Sequence, residues 1–172
     1  EKKAYGHTAL GGASLGLFGS GALYVWPSSL DEVQDVFLEP RRVESDKMLA
    51  DSAFRNTVWA KVSTSIGASL HETGHAFDLP HCKDPFGVMT RGFDHFNRCF
   101  TFYEPPSATR DHGYVFNTDE LARFSPISAS YLAESRWFAL DEPPEPSGNT
   151  PVLADSILEE EIVLSSDDGL SY

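Results

Sequence analysis

The chain has 172 residues, 41% hydrophobic and 23% charged, enough for one domain with a sizeable core. It holds 13 basic and 26 acidic residues, a formal net charge of −13, and nothing resembling a basic patch that could neutralise phosphates, which excludes nucleic acid as a partner. No apolar run reaches the ~20 residues that cross a bilayer, so no membrane span is expected, and no signal-peptide pattern is present.

The acidity is uneven. Residues 141–172 hold nine acids and no Lys or Arg, so residues 1–140 carry only −4 and the charge says little about substrate. In chain order, residues 13–26 contain two apolar runs, LGLF and ALYVW, around Gly19-Ser20-Gly21, which predict a hairpin or two adjacent strands. Residues 31–55 are charged and predict helix plus loop. A helix is predicted from as early as Asn56, with Trp59, Val62, Ile66, Leu70, Thr73 and Phe77 forming a mostly apolar stripe at helical spacing. It should end near Asp78, because Pro80 disfavours the α conformation in the residue before it. Residues 92–103, GFDHFNRCFTFY, are rich in Phe and predict core packing or a wall of the cleft. Thr118, followed by Asp119 and Glu120, reads as a helix N-cap with acids in the first turn. That helix is expected to break at Ser125-Pro126 and resume towards Trp137. Residues 141–151, Asp141 to Pro151, read as a Pro/Glu-rich linker, and 152–172 as an acidic tail or the start of a truncated β domain.

The helical stretch HETGHAFDLPH carries the chemistry. His71 and His75 are four apart and lie on one helix face, where they can grip a common ion. Glu72 is rotated by about 100° from His71 at 3.6 residues per turn, so it flanks the ion rather than binding it. That is the placement a general base needs. After the helix the chain must turn sharply to return His81 as a third ligand. Three imidazoles suit one zinc ion and leave a tetrahedral position open for water. Zinc brings the pKa of such a water to about 7. Glu72 would take its proton as it attacks a peptide carbonyl and pass it to the leaving amine.

The pattern HExxHxxGxxH followed by a methionine turn marks the metzincin clan of zinc metallopeptidases. This chain resembles it in both histidine intervals, and Met89 in GVMTRGFD follows His81 after a short loop. Asp78 stands where the clan has glycine; Asp is among the few residues that tolerate φ > 0 there. It reads as a turn residue in preference to an acceptor for a ligand histidine. Over roughly residues 5–140, the stretches GHTALGGASLGLFGSGALYVWP, WAKVSTSIGASLHETGHAFDLPH and GVMTRGFDHFNRCF are similar to a family of predicted zinc metallopeptidases of eukaryotes, chiefly fungi.

The resemblance implies an α+β (α/β-like) fold of metzincin type. That means a five-stranded mixed sheet, the active-site helix and a smaller C-terminal helical subdomain, with residues 1–140 as a catalytic domain lacking its N-terminal strands. It implies zinc as the cofactor, His71, His75 and His81 as metal ligands, Glu72 as the catalytic base and Met89 as the structural Met-turn. The partner is then a peptide or protein substrate; the run Leu23 to Trp26 reads either as an edge strand that could pair with it or as an ordinary core strand. A lectin-like β domain is expected downstream, and a cytoplasmic location is favoured over secretion. Several metzincins place a tyrosine two residues beyond the methionine; here Arg91 stands there, leaving Tyr103, Tyr114, Arg91 or zinc alone to stabilise an oxyanion.

Two other classes compete with the peptidase: a non-catalytic zinc-bearing scaffold that uses the fold for binding, and a zinc amidase acting on a non-peptide substrate. The intact Glu72 argues against the scaffold. Cys82 next to His81 could approach the metal or be an ordinary thiol, and the common burial of free cysteines favours the second. A disulfide from Cys82 to Cys99 stays open. His7, His95 and His112 lack ligand spacing relative to the motif.

Overall fold

In a computed structural model of the chain, the described residues are 9–12, 14–44, 47–49, 51–135 and 137–138, with backbone strands at 152–153 and 164–165. They form an α+β structure. β1 (Ala9–Gly12) and β2 (Leu15–Phe18) make an antiparallel hairpin with Ala9 opposite Phe18. A 3-10 helix over Ser20–Val25 and the short α1 (Val33–Phe37) precede the long α2 (Val58–Ala76). A kinked 3-10 segment, Arg91–Cys99, follows, then β3 (Tyr103–Glu104) paired with β4 (Tyr114–Val115) and α3 (Pro126–Glu134). β5 (Val152–Leu153) pairs antiparallel with β6 (Leu164–Ser165). The mixed five-stranded sheet is absent among the described residues, whose sheets are three separate two-stranded antiparallel ladders. The linker proposed at 141–151 lies outside the described residues, as does most of 152–172.

α2 organises everything else. Its cap, Thr57, is extended and makes no side-chain cap bond. Tertiary carbonyls replace that cap: Val58 N–H donates to Arg41 O (2.9 Å) and Trp59 N–H to Glu39 O (3.1 Å), satisfying donors that a helix start leaves open. From Val58 to Thr64 every residue is buried. Val58 and Val62 join Val25 and Phe37 in the core, with Val33, Val36, Ile66 and Phe96 packed against them. Two of the polar residues buried here, Ser63 and Thr64, are bonded to the 91–99 segment. Ser63 Oγ lies 2.8 Å from Asp94 O, and Thr64 Oγ1 donates to Asp94 Oδ1 at 2.8 Å. Arg55 bonds Thr64 Oγ1 (2.9 Å) and Asp94 O (2.8 Å).

Beyond Thr64 the buried residues of α2 are Gly67, His71 and Gly74. The apolar stripe of Ile66, Leu70, Thr73 and Phe77 is only half-buried. Ile66 of the stripe still packs on the core, but the deepest burial in this half is on the face bearing His71. Its glycines let the next segment approach, since a Cβ on Gly67 would overlap the carbonyl oxygen of Phe93. Backbone cannot yield as a side-chain tip can. Gly67→Ala is therefore expected to cost about 1–3 kcal/mol through overpacking. It would show as a lower urea midpoint at unchanged m; unchanged stability would refute so close an approach.

Four local expectations are corrected. The strand expected at Leu23 to Trp26 is the 3-10 helix, closed by Trp26 N–H donating to Leu23 O at 3.0 Å, and the hairpin lies earlier, turning near Ser14 rather than at Gly19-Ser20-Gly21. Apolar runs do not distinguish a half-buried strand from a helical turn. α2 starts at Val58 rather than Asn56, whose φ of 50° is incompatible with the helix. The cap near residue 118 is Asn117, before a single 3-10 turn over Thr118–Glu120. The helix after it is separate, with Ser125 as N-cap accepting from Ser128 N–H at 3.1 Å and Pro126 in its first turn, where a missing N–H is harmless.

Candidate metal centre

The last turn and a half of α2 and the loop after it gather three imidazoles. Nε2 of His75 lies 3.1 Å from Nε2 of His71 and 3.1 Å from Nε2 of His81, and His71 and His81 are 3.3 Å apart. The other ring nitrogen of His71 bonds Val88 O (2.7 Å), and that of His75 bonds Leu79 O (2.8 Å). A carbonyl only accepts, so in both rings Nδ1 carries the proton and Nε2 keeps its lone pair. Lone pairs 3.1 Å apart repel unless a cation sits among them. Zinc bound at 2.0–2.1 Å in a tetrahedron sets its nitrogens about 3.3 Å apart, so these residues fit the ion. Burial pushes His71 below its usual pKa; the Val88 carbonyl and Glu72 offset this only in part, and His75 and His81 add to it. Neutral imidazole, the ligating form, is favoured.

The turn that returns His81 is a helix-terminating motif with both of its bonds. Asp78 N–H donates to His75 O and Leu79 N–H to Gly74 O, each at 3.0 Å, the 5→2 and 6→1 bonds of a Schellman end. That end needs a left-handed residue after the cap, and Asp78 supplies it at φ 66°. Asp78 therefore occupies the conformation for which glycine is the usual choice. Met89 is fully buried beneath the same turn. A Cβ on Gly74 would overlap Met89 Sδ and press on Leu79 Cδ1 at 3.4 Å, so the sulfur lies against the helix between the first two histidines. The loop is anchored by Cys82 N–H to Met89 O (3.1 Å) and Val88 N–H to Arg123 O (2.8 Å).

Glu72 is half-buried beside His71, and the backbone of β1 at Gly11 lies against its carbonyl. Cys82 does not join the three histidines: its thiol meets Thr90 Oγ1 at 3.1 Å, and both Cys82 and Cys99 are free. His112 pairs with Asp111 at 2.8 Å on the surface, and His95 stands 3.8 Å from Glu104; His7 lies outside the described residues. Tyr114 donates to the Glu120 carboxylate (2.8 Å), while Arg91 pairs with Asp94 (2.7 Å) over the Phe93 ring. Sequence reasoning missed the carbonyls of Val88 and Leu79, which have no side-chain signature. It also missed Phe93, whose ring meets that of His71 edge-on at 5.1 Å. No helix among the described residues is long and apolar enough to cross a membrane.

A family model described as "Putative peptidase family" matches residues 1–169. A Schizosaccharomyces pombe protein named "Putative zinc metalloproteinase" is 42% identical over 107 residues, 60% of this chain and 17% of the relative. A Saccharomyces cerevisiae protein of the same designation is 36% identical over 140 residues, 79% of this chain and 18% of the relative. The chain thus spans less than a fifth of the length of these curated relatives. No solved structure matches it. Because the family match runs through residues 1–169, nearly the full length given, the chain belongs to that peptidase family.

Proposed function

We propose that this chain carries the active site of a metzincin-type, zinc-dependent peptidase. The observation that supports it best is the convergence of the three Nε2 atoms within 3.1–3.3 Å, with Glu72 on the adjoining helix position. His71, His75 and His81 would hold one zinc ion. When bound, zinc supplies Lewis acidity towards a peptide carbonyl and acidifies water to a pKa of about 7.

The remaining work belongs to the chain. The Glu72 carboxylate takes one proton from water as its oxygen attacks the carbonyl carbon, then delivers that proton to the departing amine nitrogen. The Val88 and Leu79 carbonyls hold two imidazoles in the ligating tautomer. Met89 supports the helix from below without touching the chemistry. The left-handed Asp78 and the packing of Met89 on Gly74 favour the metzincin type.

Elemental analysis of the folded full chain tests the reading. About one zinc per chain is expected, lost in His75→Ala, since two imidazoles no longer make the three-ligand site. A folded wild type that takes up no zinc would overturn it.

A further inference from the structure

Lys61, Thr64, Ser65, Ala68 and Ser69 of α2 line one side of a cavity of about 320 Å³. Positions 61, 65, 68 and 72 are spaced by four, three and four residues, so they share one helix face. The cavity thus follows the face that presents Glu72. At 1.5 Å per residue, Ala68 is about 6 Å and Lys61 about 16 Å from Glu72 along the axis. β1 joins the two places: Ala9 lines the cavity and the Gly11 backbone lies against Glu72.

Lys61 is the unusual member. It has 0% exposure, and its ammonium has no hydrogen-bond partner among the described residues. The Tyr24 ring, whose centroid is 5.4 Å away, gives it a cation–π contact. Burial pushes the Lys61 pKa below its usual value; the charge of Asp51, another lining residue, opposes this without hydrogen-bonding the ammonium. A buried cation with three unused donors is costly. The hydroxyls around it are directed elsewhere: Thr64 to Asp94, Ser65 to Val62 O (3.2 Å) and Ser69 to Ser65 O (2.9 Å). Lys61 is therefore the donor left to meet a ligand, and the ligand it matches is an anion. Phe18, Leu23 and Trp26 supply apolar walls for the methylenes of that ligand.

We propose that this cavity is a specificity pocket for an acidic side chain of the peptide substrate, its carboxylate bonded by Lys61. That the anion arrives on a substrate rests on the peptidase reading; the cavity and its ammonium do not. An extended chain advances about 3.3 Å per residue, so a span of 6–16 Å places the acidic residue roughly two to five positions from the bond at Glu72.

The test is binding without turnover. Capped alanine peptides bearing one Glu at successive positions, and the same peptides with Gln, are titrated into the zinc-loaded full chain carrying Glu72→Gln. At one position Glu should bind at least 10-fold more tightly than Gln, and Lys61→Met in the same background should bring the ratio to about one. Equal affinities at every position, or a preference that survives Lys61→Met, would overturn the proposal. If Lys61→Met does not fold, Leu23→Trp, at an exposed wall of the cavity, should abolish the preference by filling the pocket, and a retained preference counts against it. Hydrolysis by the chain with Glu72 intact is scored separately. Its absence refutes the peptidase reading, while the Glu-to-Gln ratio still decides whether the pocket selects a carboxylate.

Discussion

Glu72→Gln is expected to lower peptide hydrolysis by about 10²–10⁴-fold, the usual worth of a positioned acid–base group, while zinc content stays at the wild-type level. The two halves of that expectation have separate physical origins. Gln keeps the volume of Glu and can still donate or accept a hydrogen bond, but it cannot take a proton from water near neutral pH. In the proposed site, metal affinity would depend instead on His71, His75 and His81, whose Nε2 atoms converge without Glu72. The loss should therefore fall on kcat and on kcat/KM alike, because the proton is moved only in the transition state. Activity surviving within a few-fold would remove Glu72 from the mechanism. Loss of zinc together with activity would make it a structural support of the centre instead.

The second large effect is on stability. Glu104 is 2% exposed and accepts from Arg98 Nε (2.7 Å) and an Arg110 guanidinium nitrogen (2.9 Å), with His95 Nδ1 3.8 Å away. Arg98 also reaches the Glu120 carbonyl at 3.2 Å. These contacts tie β3, the 91–99 segment and the 118–120 turn into one unit, and the 91–99 segment is the one that packs on α2 beside His71. Glu104→Gln would leave two guanidinium groups facing a neutral amide, one of them buried. Breaking a buried pair in this way costs about 3–5 kcal/mol, read as a shifted denaturation midpoint at neutral pH.

The pH dependence follows from the same contacts. Burial by itself would raise the Glu104 pKa, but the side chains of His95, Arg98 and Arg110 facing it, together with the Arg98 charge, outweigh it and hold the carboxyl far below the usual carboxylate range. A folded pKa below the unfolded one means the stabilisation is complete above the unfolded value of 4.5 and declines as pH falls through the folded value. Wild type should therefore lose stability on acidification below about pH 4.5, and Glu104→Gln should lose correspondingly less. Parallel pH profiles for the two proteins would show that the network does not set the slope.

The histidine spacing, the flanking Glu72 and the end of α2 near Asp78 could all be read in the chain, because each depends on residues within a turn or two of one another. Helical periodicity puts His71 and His75 on one face whatever surrounds them, and Pro80 discourages the helix from continuing. Even the exception was locally legible: an Asp at the glycine position is chemically able to take φ > 0, and it does so at 66°.

The errors lie where short sequence patterns are ambiguous or partners are distant. ALYVW could have been a strand or a helical turn, and the 3-10 helix over Ser20–Val25 is the outcome. The apolar stripe suggested that Ile66 and Leu70 would be the packed face, yet Gly67, His71 and Gly74 are more deeply buried. A glycine carries no hydrophobic signal; its value at these positions is the room it leaves for Phe93 and Met89. The candidate donor set and the geometry of its helix were thus legible in the sequence alone. Which carbonyls orient the imidazoles, which face of α2 is covered and the burial of Lys61 without a hydrogen-bond partner among the described residues came only from the tertiary structure. The physical reason is that helix geometry is repeated at every residue, whereas each of those contacts joins backbone or side chains from separate segments and depends on how those segments pack.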